Sequence, residues 1–330
     1  MQKQKYIIDF GSGYISIFHK GLILREPAVA VVKKGSGLEL VAAGNRALPY
    51  LKDMPLHYSA VRPISEGAVV NAEVCTMMLS EFFGRAIQRN PFGGIELYVL
   101  ISLGLGSVER EAVENAVART GYRDITLVES VLGLLPYFKR GEEGACVVFG
   151  DGTTDIAVIN DDGIVSGCSV NLAGRTVDEK IVERILNNYN IKIGRATAER
   201  LKLGIGSLFE NDSSVMEVAG QDLLDGKIKL IEISAEGIRP AIAYCYKKIL
   251  EVVESLLTTV PQPMMARIGK KGLYLAGGGA SMRGLADYIT RYLSIPVTCD
   301  AEPDTALIRG AYRLINDNTG RYKEILGRAR

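Results

Sequence analysis

The sequence predicts an α/β protein built from two copies of one domain, and three observations carry that expectation. Strand-like and helix-like segments alternate with short joins along most of the 330 residues, the pattern of a mixed sheet covered by helices. Two stretches match each other: Ile7-Ile8-Asp9-Phe10-Gly11-Ser12-Gly13 and Cys146-Val147-Val148-Phe149-Gly150-Asp151-Gly152. Each leads into an alternating run and then Gly-apolar-apolar, at Gly21-Leu22-Ile23 and Gly163-Ile164-Val165. Third, the 36 glycines recur as G-x-G or GGG, and at about 11% they exceed the usual ~7%. Two unrelated hairpin turns are the alternative to a duplication.

In the first copy, short runs at 6–9, 14–18, 21–25 and 28–33 read as an antiparallel meander, bounded by Gly or Pro. A helix follows at 68–88, with Val74, Met78, Phe82, Leu79, Phe83 and Ala86 on one apolar face. A strand at 96–102, a helix at 107–120 and a strand at 125–128 complete the copy.

The second copy opens with strands at 145–149, 155–160 and 163–170, then helices at 176–189 and 197–205. After two short strands comes a long helix at 234–258. Its Ile238, Ile242, Cys245, Ile249, Val252 and Leu256 step by four and three into one buried stripe. A strand at 273–276, a helix at 282–293, a strand at 296–299 and a helix at 305–316 close the chain. The domains are therefore expected at 1–144, with a small subdomain near 33–65, and 145–330, with another near 190–235.

Composition narrows the function. With 39 Lys+Arg against 38 Asp+Glu, no broad electrostatic surface for nucleic acid is expected. No secretory h-region follows the basic start, and the longest apolar stretch, 97–105, falls short of the ~18 residues of a membrane span. The five cysteines show no CxxC, so reduced, buried thiols in a cytoplasmic chain are expected. His19 and His57 form no zinc pattern, and no G-x-S-x-G elbow is present.

The glycine clusters carry the chemistry. A strand ending in F-G-x-G turns sharply and leaves backbone N–H groups unshadowed, an arrangement that binds phosphate oxygens. Hairpins use glycine routinely, so one copy says little, whereas two copies facing each other could clamp a polyphosphate. These loops are neither Walker A nor Rossmann, because GxxxxGK[ST] is missing and strands rather than helices follow them. A third cluster, Gly277-Gly278-Gly279, sits between a strand and a helix. It reads either as a bed for a flat group or as a tight packing turn.

Together these residues resemble a known family. Asp9-Phe10-Gly11-Ser12-Gly13 looks like the first phosphate loop of actin, and Gly150-Asp151-Gly152-Thr153-Thr154-Asp155 looks like the second phosphate loop of the bacterial actin homologue MreB. The run from Ile193 through Gly194, Arg195, Thr197, Glu199 and Lys202 is similar to the MreB helix that touches the ribose. Gly277 to Leu285 resembles the adenosine motif, and Ala301-Glu302-Pro303-Asp304 the inter-domain connection. Asn171 to Gly174 with Asp178-Glu179 also fits. The likeness covers residues 5–318 in order and favours the MreB branch of the actin, heat-shock chaperone and sugar kinase superfamily.

That resemblance implies an actin-like fold, duplicated α/β domains hinged around a nucleotide cleft, with the C-terminal helix returning to the hinge. It implies ATP and Mg²⁺ as cofactors and self-assembly into filaments, with a role in cell shape or intracellular organisation. Ser12, Gly13 and Tyr14 would contact the β- and γ-phosphates. Gly150, Asp151, Gly152 and Thr153 would face them, with Gly174 alongside. Glu199 and Lys202 would reach the ribose and base, and Gly277, Gly278, Gly279 and Ser281 the adenosine. Asp9 would orient the metal through water. Membrane surfaces and envelope or morphogenesis proteins are among the partners the family admits. Asn90-Pro91-Phe92-Gly93-Gly94, with one aromatic, is this chain's surface-loop candidate, and a plain turn is the alternative.

Two positions depart from the family pattern. An acid precedes the second phosphate loop in the family, as Asp9 precedes the first here, but this chain has Val148. Loss of that carboxylate removes an anchor for a hard metal ion, so slowed hydrolysis is expected, with Asp151 a partial replacement. For the water-orienting group, alignment to actin selects Glu129 where actin has Gln, and ungapped alignment to MreB selects Ser130. Glu129 polarises water better, and a helix N-terminal acid is its structural reading. A non-polymerising ATP-binding scaffold, or a stand-alone ATPase or kinase, is the alternative function. The latter is disfavoured because the segment after Asn316 holds no substrate domain and Val148 leaves a kinase without its base.

Overall fold

The run at Gln4–Phe10 forms β1, in which Tyr6, Ile7, Ile8 and Phe10 are buried. The computed structural model describes residues 3–35, 37–88 and 94–328, and β1 opens the first of two compact units. That unit takes in the described residues of Met1–Glu142, Ile159–Val165 and Thr305–Arg330. The second holds Glu143–Val158 and Ser166–Asp304.

In the first unit, β2 (Tyr14–Phe18) and β3 (Leu22–Pro27) continue from β1 as the expected antiparallel meander. The fourth strand does not join it. β4 (Ala30–Lys34) pairs instead with β5 (Leu38–Ala43) and β6 (Tyr58–Val61) in a separate three-stranded sheet. Pro27, opposite Tyr14, has no N–H to extend the ladder, and the Ala28 N–H donates to the Gly13 carbonyl at 2.9 Å. Alternate residues of β4 then serve two cores. Ala30 and Val32 pack with the meander, and Val31 packs with Ala42 and Ala47.

After α1 (Leu48–Lys52), β7 (Ile64–Ser65) and β8 (Ala68–Val69) form a short hairpin, so α2 (Ala72–Ala86) starts later than its apolar pattern suggests. Asn71 sets that start, its side chain accepting from the Val74 N–H at 3.0 Å. Every residue assigned to the apolar face of α2 is buried. Next come β9 (Ile95–Ile101), α3 (Ser107–Ala118) and β10 (Ile125–Glu129), with β9 parallel to both β1 and β10. A 3₁₀ segment at Ser130–Tyr137 follows.

The second unit repeats the plan with β11 (Gly144–Phe149), β12 (Thr154–Asn160) and β13 (Gly163–Val170). The tip Ile159–Val165 groups with the first unit. Then come α4 (Gly174–Tyr189), β14 (Ile191–Lys192), α5 (Arg195–Ile205), β15 (Val215–Asp222) and β16 (Ile228–Ser234). β14, β15 and β16 make a small sheet, with longer strands at β15 and β16 than the sequence suggested. α6 (Ala235–Thr258) is capped by Ser234 and buries its expected stripe, except that Val253 rather than Val252 completes it. α7 (Gln262–Lys271), β17 (Leu273–Ala276), α8 (Leu285–Leu293) and β18 (Val297–Cys299) follow, with β17 parallel to β11 and β18. α8 starts at Leu285 rather than 282 because a 3₁₀ turn, Gly278–Ser281, and the left-handed Gly284 intervene. α9 (Ala306–Ile315) and α10 (Lys323–Arg328) belong to the first unit.

The two main sheets have the same order, β3-β2-β1-β9-β10 and β13-β12-β11-β17-β18. The duplication read from the two F-G-x-G stretches is therefore a duplication of topology. Cys75, Cys146 and Cys245 are buried as expected, and desolvation pushes the first two thiols up to about 12. Cys299 is exposed, because β18 lies at the sheet edge. Among the described residues no helix is long and apolar enough to cross a membrane.

Candidate functional site

Each unit carries its own set of the residues singled out by sequence. In the second, the β11–β12 turn is closed by the Gly150 N–H donating to the Thr153 carbonyl at 2.9 Å. A Cβ on Gly150 would lie 2.6 Å from that same oxygen, so the turn excludes any other residue. The start of α4 is welded to the turn. Gly174 N–H donates to the Gly150 carbonyl at 3.0 Å and Arg175 N–H to the Asp151 carbonyl at 2.8 Å. Thr154 Oγ1 adds a bond to the Leu172 carbonyl at 2.6 Å. Loop and helix end therefore form one rigid piece, as phosphate binding through backbone groups requires.

Charged side chains surround that piece. Asp178, 1% exposed, faces Lys202, whose Nζ lies 2.8 Å from Oδ1 and also donates to the Gly174 carbonyl at 2.9 Å. Burial raises the Asp178 carboxyl to about 6, against the opposing pull of Lys202, while Glu199 and Asp151 push it further up. Lys202 is thus tied to the start of α4, and Glu199 lies on the same helix. Arg175 lies 3.4 Å from Asp151 Oδ2. Sequence reasoning passed over Arg175. Its place directly after Gly174, at a helix start, was the available signal.

The third glycine cluster is a tight packing turn, the second of the two readings offered for it. Gly277 has φ +83° and a Cβ there would sit 2.4 Å from the Phe149 carbonyl oxygen, while one on Gly279 would meet Phe149 Cβ at 2.8 Å. These two glycines are packing requirements of β11 against the turn. Gly278 is exposed and open on its Cβ side, and Ser281 nearby is exposed, so this edge of the turn leaves room for a flat ligand. The turn is pinned by Gly277 N–H donating to the Pro303 carbonyl at 2.6 Å. The buried Tyr246 hydroxyl donates to the Gly279 carbonyl at 2.7 Å. Tyr246 follows Cys245 of the α6 stripe, and nothing in the sequence pattern marked it.

In the first unit the β1–β2 turn repeats the geometry, with a Cβ on Gly11 falling 2.7 Å from the Tyr14 carbonyl oxygen. Asp9 sits opposite Ser16 in β1. Ser12 is buried and its Oγ accepts from the Gly67 N–H at 2.9 Å, which leaves its own proton to donate. Gly13 is buried at the base of the turn, and the Tyr14 ring stacks under the Arg25 guanidinium at 4.2 Å. Glu129 ends β10 and pairs with Arg110, so orienting a water would compete with that ion pair. Ser130 is buried at the start of the 3₁₀ segment. Val148 is buried in β11 beside Ala276. Of the loop candidate 90–94, only Gly94 lies within the described residues.

The residues fit a nucleotide carried with a metal better than a resident metal. Among the described residues no group of three or more His, Cys, Asp or Glu could hold an ion. Mg²⁺ takes few protein carboxylates and fills its octahedron with phosphate oxygens and water, and Asp9, near the end of β1, and Asp151, in the β11–β12 turn, are the carboxylates next to the two glycine turns.

Comparison with known proteins agrees along the whole length. The model of the MreB/Mbl protein family matches residues 3–322. The cell shape-determining protein MreB of Escherichia coli K12 is 31% identical over 317 residues, covering 92% of this chain and 90% of that protein. Mbl of Bacillus subtilis is 27% identical over 303 residues, covering 90% and 91%. The crystal structure of MreB5 of Spiroplasma citri bound to AMPPNP superposes with TM-score 0.90 at 25% identity, covering 99% of both chains. A MamK double helical filament superposes with TM-score 0.79 at 19% identity, covering 95% of this chain and 99% of that one. The fold is the actin-like α/β fold that the motifs implied.

Proposed function

This chain belongs to the MreB/Mbl family of actin-like proteins, and on that premise we propose that it binds ATP through the glycine turns of both units and assembles with copies of itself into filaments serving cell shape or intracellular organisation. The observation that carries the reading is the repeated turn. A Cβ on either Gly11 or Gly150 would run into the carbonyl oxygen three residues ahead, in equivalent places of two sheets of identical order. A duplicated N–H array suits a polyphosphate, which presents oxygens on more than one side. Support also comes from MreB5 of Spiroplasma citri, whose structures hold AMPPNP and ADP.

In this reading Ser12 donates its free proton to a phosphate oxygen, while backbone N–H groups around Gly13 and Tyr14 do the same. The N–H groups of Asp151, Gly152 and Thr153 serve the polyphosphate from the second unit. Glu199 accepts from ribose hydroxyls, and the open edge at Gly278 and Ser281 bears the base. Lys202 acts by holding Gly174 and Asp178 in place. The magnesium ion carried with ATP supplies charge neutralisation at the phosphates, and Asp9 and Asp151 would hold its waters.

Hydrolysis is proposed to be slow. Where a carboxylate would orient the metal's water, Val148 offers isopropyl. Val148→Asp should raise phosphate release on the order of 10–100-fold, and an unchanged rate in folded variant would refute the role given to this position. The same variant buries a charge, so its melting temperature should fall. Fluorescent-nucleotide titration tests binding directly, and failure of the chain to bind either ATP or ADP would overturn the reading. Contact with a membrane or envelope proteins belongs to the same family-based proposal. Co-sedimentation with anionic vesicles would support it, and protein left in the supernatant would remove it.

A further inference from the structure

The two glycine turns of the second unit meet at one aromatic pair. Phe149 ends β11, directly before Gly150, and the third cluster lies against it: a Cβ on Gly277 would fall 2.4 Å from its carbonyl oxygen and one on Gly279 2.8 Å from its Cβ. The Phe149 ring packs on Tyr246 of α6, with centroids 5.4 Å apart and planes tilted by 57°. The Tyr246 hydroxyl donates to the Gly279 carbonyl at 2.7 Å, which also accepts from the Met282 N–H at 3.2 Å. One side chain therefore touches the residue leading into the phosphate turn with its ring and the third cluster with its oxygen.

Packing alone does not ask for that oxygen. Tyr246 is buried among Ile242, Ile249 and Leu250, and an unbonded hydroxyl there would cost stability. Burial pushes the hydroxyl above the ordinary tyrosine range, so it stays protonated and donating near neutral pH. Consecutive glycines have wide backbone freedom, so a turn made of them keeps its shape only where it is tied. The Pro303 carbonyl ties Gly277, and Tyr246 ties Gly279 to α6, while Gly278 and Ser281 stay exposed.

We propose that Tyr246 is a positioning residue that sets the spacing between the phosphate turn and the turn Gly277–Ser281, so that the second unit recognises a nucleobase and a phosphate chain as one ligand. The inference rests on the nucleotide reading given above. Holding both turns in advance removes an ordering cost that binding would otherwise bear. That gain belongs to ligands that span the two turns, and a phosphate chain without a base does not collect it.

The test displaces a fluorescent nucleotide from the full chain, in magnesium-containing buffer, with AMPPNP and with inorganic tripolyphosphate. Tyr246→Phe keeps the ring and removes the bond to Gly279. It should weaken AMPPNP about fivefold, the scale of one neutral hydrogen bond, and leave tripolyphosphate within about twofold. Val253→Ala truncates another buried residue of α6 and controls for loss of core packing, so it should leave the ratio of the two affinities unchanged. Equal weakening of both ligands by Tyr246→Phe, no weakening of either, or the same change of ratio in Val253→Ala would overturn the proposal and leave nucleotide binding standing. Tripolyphosphate that failed to compete with the wild-type chain would also overturn it, since the phosphate turn would then not act apart from the base. A wild-type chain that bound no nucleotide would overturn both readings.

Discussion

A methyl group at position 277 would lie 2.4 Å from the Phe149 carbonyl oxygen, on a backbone already at φ +83°. Gly277→Ala should therefore cost about 2–4 kcal/mol, combining left-handed strain with overpacking. Guanidinium denaturation measures this, and a cost below about 0.5 kcal/mol would contradict the packing described. Asp178 gives a second residue-scale prediction with a definite sign. Burial raises its carboxyl from 3.8 to about 6. The native state thus holds this proton where the unfolded chain has released it, so the group's contribution falls as pH rises from about 4 to about 6, by roughly 3 kcal/mol. Asp178→Asn should remove that slope from the unfolding free energy measured against pH. An unchanged slope would assign the titration elsewhere. Asp212, drawn down to about 2 by the Ser214 hydroxyl and N–H, acts in the opposite sense and only below that window.

Among the elements, α9 lies against the 3₁₀ segment Ser130–Tyr137 through two glycines. A Cβ on Gly310 would fall 1.8 Å from the Gly133 carbonyl oxygen, and Tyr137 donates its hydroxyl to the Ala306 carbonyl at 3.1 Å. Gly310→Ala should destabilise the first unit by about 1–3 kcal/mol, read as a lowered denaturation midpoint. A neutral substitution would mean that the two segments separate readily. This contact also explains what the sequence hid. Gly133 and Pro136 interrupt any helical period, so the 3₁₀ segment left no trace in the apolar pattern. α7 was missed because its turn-like Pro261 start and few apolar residues, Met264, Met265 and Ile268, mimic a loop. By contrast α2 and α6 bury whole stripes, and a stripe is legible without tertiary knowledge. β4 was legible as a strand but not as the member of another sheet, since its partners depend on where Pro27 turns the chain.

At the scale of the whole molecule, the duplication was legible because the carbonyl three residues ahead of Gly11 and of Gly150 leaves no room for a Cβ, so the same residues had to recur. Elsewhere the copies keep topology while apolar residues interchange freely, which erases sequence likeness. The candidate site divides in the same way. Its glycine turns could be read from the chain, whereas the pairing of Asp151 with Arg175, and of Lys202 with Asp178 and Gly174, arises only when α4 and α5 meet the turn. The central claim is that nucleotide bound at these turns drives assembly of an MreB/Mbl-family chain. Sedimentation of the purified protein with AMPPNP, with ADP and without nucleotide, with the pellets viewed by electron microscopy, tests it most directly. Filaments pelleting with AMPPNP and absent without nucleotide are the predicted result. A protein that binds AMPPNP yet stays in the supernatant under all three conditions would contradict it and identify a non-polymerising scaffold.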